Sequence, residues 1–106
     1  MDLGAINQLQ RLQDWYLNQC DGDWEHDYGI KIETLDNPGW MVVVDLTGTA
    51  CADLSVDQQL LQRSETDWIS TEITERKFVG AGGSHNLIEI LDRFFSLIGQ
   101  GETAQT

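Results

Sequence analysis

Basic residues are scarce in this sequence. Lysine and arginine together number 6 against 18 aspartates and glutamates, so the formal net charge is −12. A nucleic-acid binder needs a basic footprint on phosphate, and an anionic membrane surface attracts the same sign of charge. Neither nucleic acid nor membrane is therefore expected as a partner. Cysteine is nearly absent: Cys20 and Cys51 are the only two, with no CxxC spacing. Isolated cysteines of this kind are most often reduced thiols buried as small hydrophobes. No apolar run approaches the ~20 residues that cross a bilayer. The first ten residues, MDLGAINQLQ, place an acid at position 2 and lack an apolar leader core. A cytoplasmic location is the expectation that follows. Oligomeric state is left open.

What is present suits one folded domain spanning 1–106. The chain has 106 residues, 41% of them hydrophobic, with four tryptophans. That is enough to bury a modest core unaided. The excess of acid favours solubility and a cationic partner reached by fast, salt-sensitive association.

Residues 3–19 carry Leu3, Ile6, Leu9, Leu12 and Tyr16 at three- and four-residue steps with Trp15 beside them, the spacing of an amphipathic helix. Asp2 is a candidate cap, and Asp21-Gly22 a stop. Ile30 and Ile32 alternate with Lys31 and Glu33, which predicts a strand over 28–35. Asp36-Asn37-Pro38-Gly39 is a turn, because Pro38 presets φ and Gly39 tolerates positive φ. WMVVVDL, 40–46, is apolar on both faces and reads as an inner strand paired with the first as a hairpin.

Residues 47–64 are hard to read. Ala50–Leu54 is a candidate short strand, and VDQQLLQRS is either a short helix or a strand. From Asp67, alternation returns at Ile69, Thr71 and Ile73. ERK, 75–77, turns the chain into a strand at Phe78-Val79, and GAGGSHN reads as a glycine-rich loop into a helix over 87–98. Ser84, or Asn86 with Glu89, caps that helix, and Gly99 ends it. The ordered core is thus about 3–98, with a frayed tail at 99–106. The fold class is α+β: an N-terminal helix, an antiparallel sheet of about four to five strands, and a C-terminal helix packed on that sheet.

The densest chemistry lies in QCDGDWEHDYGIKI, residues 19–32. Asp21, Asp23 and Glu25 have the first three spacings of an EF-hand, but its glycine and final glutamate positions hold His26 and Ile32. A transition-metal site is disfavoured, since adjacent residues seldom converge on one ion and no HExxH is present. A carboxylate-dependent hydrolase built on Asp21, Asp23, Glu25 and His26 stays an alternative. An acidic regulator that mimics DNA is a second. GAGGSHN matches neither GxGxxG nor the phosphate-binding GxxxxGK[ST] loop. No catalytic residue, metal ligand or cofactor site is assigned. Asp21, Asp23, Glu25, His26 and Asp27 are instead candidate partner-binding residues, and Trp24 is a candidate plug at the helix–sheet junction.

The segment LQDWYLNQCDGDWEHDYGIKIETLDNPGW, the Asp67-Trp68 pair and F-x-G-x-GG-x-x-NL from Phe78 to Leu87 resemble the immunity protein 53 family of bacterial polymorphic toxin systems. The resemblance runs over about residues 9–97. It implies a non-enzymatic antidote that sits in the cytoplasm and binds a cognate toxin domain, with a nuclease-type toxin fitting the acidic charge. Motif positions Trp15, Trp24, Gly29, Pro38, Gly39, Trp40, Trp68, Gly82, Gly83 and Asn86 are expected to serve the scaffold, since a motif shared among antidotes reads as fold more than specificity.

Overall fold

A computed structural model describes residues 3–103, and side chains for residues 8–99. Helix α1 spans Leu3–Gln19, and a single helical turn α2 spans Trp24–Asp27. Strands β1 (Ile30–Leu35), β2 (Gly39–Asp45), β3 (Val56–Gln62), β4 (Trp68–Thr74) and β5 (Lys77–Gly83) precede helix α3, Leu87–Thr103. The five strands form one antiparallel sheet in the order β1-β2-β5-β4-β3. This is the α+β architecture expected from the pattern. The Asp2 cap lies outside the described residues, and the Leu3 and Ile6 side chains outside the described ones.

Both long helices lie on one face of the sheet. Helix α3 packs on β5, β4 and β2, and α1 packs on α3. A helix between two layers must be apolar nearly all round, and Ile90, Leu91, Phe94, Phe95, Leu97 and Ile98 are all buried. Phe94 meets Phe78 of the sheet at 5.0 Å and Trp15 of α1 at 5.3 Å, both edge-on. Val42, Val44 and Ile73, fully buried, complete this layer from the sheet side. Each such side chain removed from water stabilises the fold by about 1.5–3 kcal/mol.

Helix α1 covers less than its stripe implies. Leu12 and Trp15 are buried, whereas Leu9 and Tyr16 are 46% and 41% exposed. The helix rests on the single ridge of α3 rather than on the broad sheet, so only a narrow strip of it is enclosed.

Three expectations are corrected. First, residues Ala50–Leu54 form no strand. Thr49, Ala52 and Leu54 donate backbone N–H bonds three residues back, to Leu46, Thr49 and Cys51, in consecutive turns. The strand of this region is β3, whose irregular polarity has two causes. It is an edge strand, exposed from Asp57 onward, and its register shifts between Val56 and Gln59. A bulge there breaks the two-residue period.

Second, GAGG is not a loop but the end of β5, the middle strand. Glycine is required there by close approach. A Cβ on Gly80 would stand 2.6 Å from Ile90 Cγ2, and one on Gly83 only 2.1 Å from the Thr66 carbonyl oxygen. Third, Gly99 does not end α3, which continues to Thr103.

Cys51 is buried, with its thiol 3.9 Å from the Ile98 carbonyl oxygen, and Cys20 is half-buried. The turn between β4 and β5 is made by Glu75 and Arg76, both at positive φ, 52° and 64°.

Candidate functional site

The acidic segment after α1 sorts into two kinds of carboxylate. Helix α1 ends at Gln19, and Gly22, at φ 97°, turns the chain in the tight reversal that follows. Asp21 Oδ1 accepts the backbone N–H groups of Asp23 and Trp24, each at 2.9 Å. Glu25 reaches back and accepts those of Asp21 and Gly22. Four amide donors in the turn that leads into α2 are thereby satisfied. The Trp24 amide, then the Asp23 amide, hold the Asp21 carboxyl below its ordinary range. Glu25 is lowered likewise, by its own backbone amide first and then by those of Asp21 and Gly22. Asp23, His26 and Asp27 are exposed. The five candidate partner-binding residues are thus neighbours, but two of them build the turn that presents the other three.

Trp24 anchors this turn. It is 5% exposed, and its indole N–H donates to the Thr47 carbonyl at 2.9 Å. Its ring stands edge-on to Trp15 at 6.0 Å and to Tyr16 at 6.1 Å. It is the plug anticipated from its place between two acids. Among the described residues, no group of three or more His, Cys, Asp or Glu side chains is placed to hold a metal ion.

Beside α2 lies an open concavity of about 530 Å³. His26, Asp27 and Tyr28 form one wall, and Met41, Val43, Asp45 and Lys77 form the floor and far side. Those floor residues belong to the sheet face that carries no helix. Cross-strand pairing defines this face: Met41 lies opposite Ala81 and Val43 opposite Val79, all four half-buried. Glu33 and Lys31 continue the two rows on β1, and Ser70 and Glu72 continue them on β4. Leu60, 63% exposed, follows Ser70 on β3. The result is an apolar block at the middle of an uncovered sheet, with charge at its border. The two-sided apolarity of WMVVVDL signalled an inner strand. The structure encloses Val42, Val44 and Leu46 and leaves Met41, Val43 and Asp45 half-buried.

At the opposite end of the sheet, a polar cluster ties strands to helix. Arg63 makes a paired contact with Asp67 at 2.7 and 2.9 Å and with Glu89 at 2.6 and 3.2 Å. Asn86 Nδ2 donates to both of those carboxylates at 2.9 Å. The Arg63 guanidinium, then the Asn86 amide, hold Asp67 down at about 2, and the same two groups lower Glu89. Asn86 stands just before α3, so it occupies the cap position, but it bonds the Glu89 side chain rather than a backbone amide. Its buried Oδ1 has no hydrogen-bond partner. Two charge-assisted bonds from the amide nitrogen favour this orientation over its flip, which would set oxygen against two carboxylates. Ser84 uses its carbonyl to accept the Trp40 indole N–H at 3.0 Å. Nothing in the periodicity pointed to Arg63; its pairing with Glu89 depends on how β3 and α3 are juxtaposed.

The family described as immunity protein 53 matches residues 9–99. The chain belongs to the immunity protein 53 family. No curated protein and no solved structure matches it. The matched span begins in α1 and ends in α3, so it takes in all five strands. Within this immunity protein, many motif residues sit at junctions. Trp15 and Trp24 join α1 to α2, and Trp40 joins β2 to the β5–α3 link. A Cβ on Gly39 would lie 2.3 Å from the Gly82 carbonyl oxygen, which explains that glycine after Pro38. Gly82 in turn leaves room for the Asn86 Cβ and for Ile90. Gly29 is half-buried, with no atom near enough to demand glycine. Trp68 is half-buried at the start of β4 on the uncovered face.

Proposed function

We propose that this chain is the antidote of a bacterial polymorphic toxin system: it binds a cognate toxin domain in the cytoplasm and neutralises it by one-to-one occupation, without chemistry of its own. The observation that carries this reading is the family match, which extends across every element of the fold. The charge of −12 supports a cationic target. Nucleases carry basic grooves for phosphate, and an acidic inhibitor is attracted to such a groove from a distance. A nuclease-type toxin is therefore the target class we favour.

Co-expression tests the reading. The toxin domain encoded beside this gene is expected to stop growth alone and to be tolerated with the antidote. Killing that persists at full antidote expression sinks the proposal. The nuclease and charge component has its own test. The association rate is expected to fall at least tenfold between about 50 and 500 mM salt, because steering between opposite charges is screened. A rate independent of salt removes the electrostatic component while leaving the antidote reading in place.

A further inference from the structure

We infer that the helix-free face of the sheet is the surface on which the toxin docks, continued at one corner by the concavity against α2. This rests on the antidote reading above and adds the location and chemistry of the contact. At the centre lie Met41, Val43, Val79 and Ala81, paired across β2 and β5 and left half-exposed although both neighbouring strands are in place. Folding has left an apolar block facing water, with two helices stacked on the other side of the same sheet. Contiguous exposed apolar surface rimmed by polar groups marks contact sites in soluble proteins.

The border says what kind of surface covers it. Glu33, Asp45 and Glu72 stand on the face, with Asp27 at the concavity, against Lys31 and Lys77. Neither lysine forms an ion pair among the described residues. Four carboxylates against two ammonium groups suit a partner with an apolar centre and a net cationic rim. They do not suit a second copy of this chain. Two copies would bring −12 against −12 with carboxylates at both borders.

Area points the same way. Five strands ~4.8 Å apart and seven residues at ~3.4 Å give a footprint of roughly 450 Å². An obligate dimer needs at least about 1,000 Å² per partner, while a standard heteromeric contact takes ~800 Å². The sheet face supplies over half of the latter, and the α2 wall with exposed His26 and Asp27 extends it.

The test uses the full chain and a catalytically inactive form of the toxin domain encoded beside its gene. Val79→Lys sets a cation at the centre of the block. Glu33→Lys with Leu60→Lys changes two exposed positions on the same face and spares the core. We expect Val79→Lys to weaken binding about 30-fold or more, the scale of a central contact, and the exposed pair to weaken it about tenfold, with thermal unfolding retained in both. Should Val79→Lys unfold, the exposed pair decides alone. If the unaltered chain binds and both variants bind as tightly, docking lies elsewhere and the antidote reading stands. If the unaltered chain fails to bind or protect, the antidote reading itself falls. If light scattering shows a dimer that Glu33→Lys with Leu60→Lys splits, the face belongs to a second copy and the inference is overturned.

Discussion

Truncating Trp24 to alanine should damage this fold more than its position in a short acidic loop implies. The side chain is 5% exposed and packs against Trp15, Tyr16 and Tyr28. Removing a buried tryptophan costs about 3–5 kcal/mol, depending on how far the site collapses. The Thr47 carbonyl also loses its indole donor, worth roughly 1 kcal/mol net. The sum approaches 5 kcal/mol, against a total stability of ~5–15 kcal/mol for a domain. Urea unfolding followed by circular dichroism measures it, with a midpoint shift on heating of roughly 20 °C at this chain length. Trp24→Phe retains most ring contacts but not the donor, and should lose about 1–2 kcal/mol. Asp23→Lys, next to it but exposed, should stay within about ±0.5 kcal/mol. A loss below about 1.5 kcal/mol for Trp24→Ala, at unchanged urea slope, would refute the claim that this indole joins α1, α2 and the loop after β2.

Gly80→Ala places a methyl 2.6 Å from Ile90 Cγ2, and overpacking of this kind costs about 1–3 kcal/mol. Combined with Ile90→Ala it should cost less than the sum of the two single changes, measured as a double-mutant cycle by urea unfolding. Glu75 and Arg76 both hold positive φ, which penalises L side chains by ~1–2 kcal/mol each. Replacing them with Asn-Gly should therefore raise stability by about 1–2 kcal/mol in calorimetry. Acid titration should expose the Arg63 cluster. Asp67 titrates at about 2 in the fold against an ordinary 3.8, so the unfolded chain takes up its proton first. The stabilisation is fully present above about pH 4 and is lost as pH falls toward 2. Asp67→Asn should flatten that part of the stability–pH profile, and an unchanged profile would show that the cluster carries no weight.

How much was legible in the sequence differs by element. Alternation located β4, whose Ile69, Thr71 and Ile73 are enclosed on the α3 side while Ser70 and Glu72 are wetter. An apolar run located β2, and β1 was legible in Ile30 and Ile32 although Ile32, on an edge strand, stays 39% exposed. Alternation leaves β3 open between helix and strand, since edge exposure and a bulge erase the two-residue period, and GAGG reads as a loop because glycine has no side chain with which to declare a strand. The candidate site divides in the same way. The acidic stretch Asp21–Asp27 was visible by composition, but whether a carboxylate faces solvent or caps a backbone amide depends on the reversal at Gly22. His26 and Asp27 of α2 came to share a concavity with Met41 and Val43 of β2 only through the folded arrangement.

By itself, then, the sequence determined the charge of this protein, its two long helices, most strands and its family, since these follow from residue identity and local spacing. Helices on one face of the sheet are expected from the order of elements, but tertiary structure alone decided that α3 lies on the strands and α1 stacks on α3. That arrangement leaves Met41 and Val43 of β2 half-exposed although they are as apolar as the buried Val42 and Val44. Local pattern records that a side chain is apolar; which surface covers it, or whether any does, is set by the placement of elements distant in the chain.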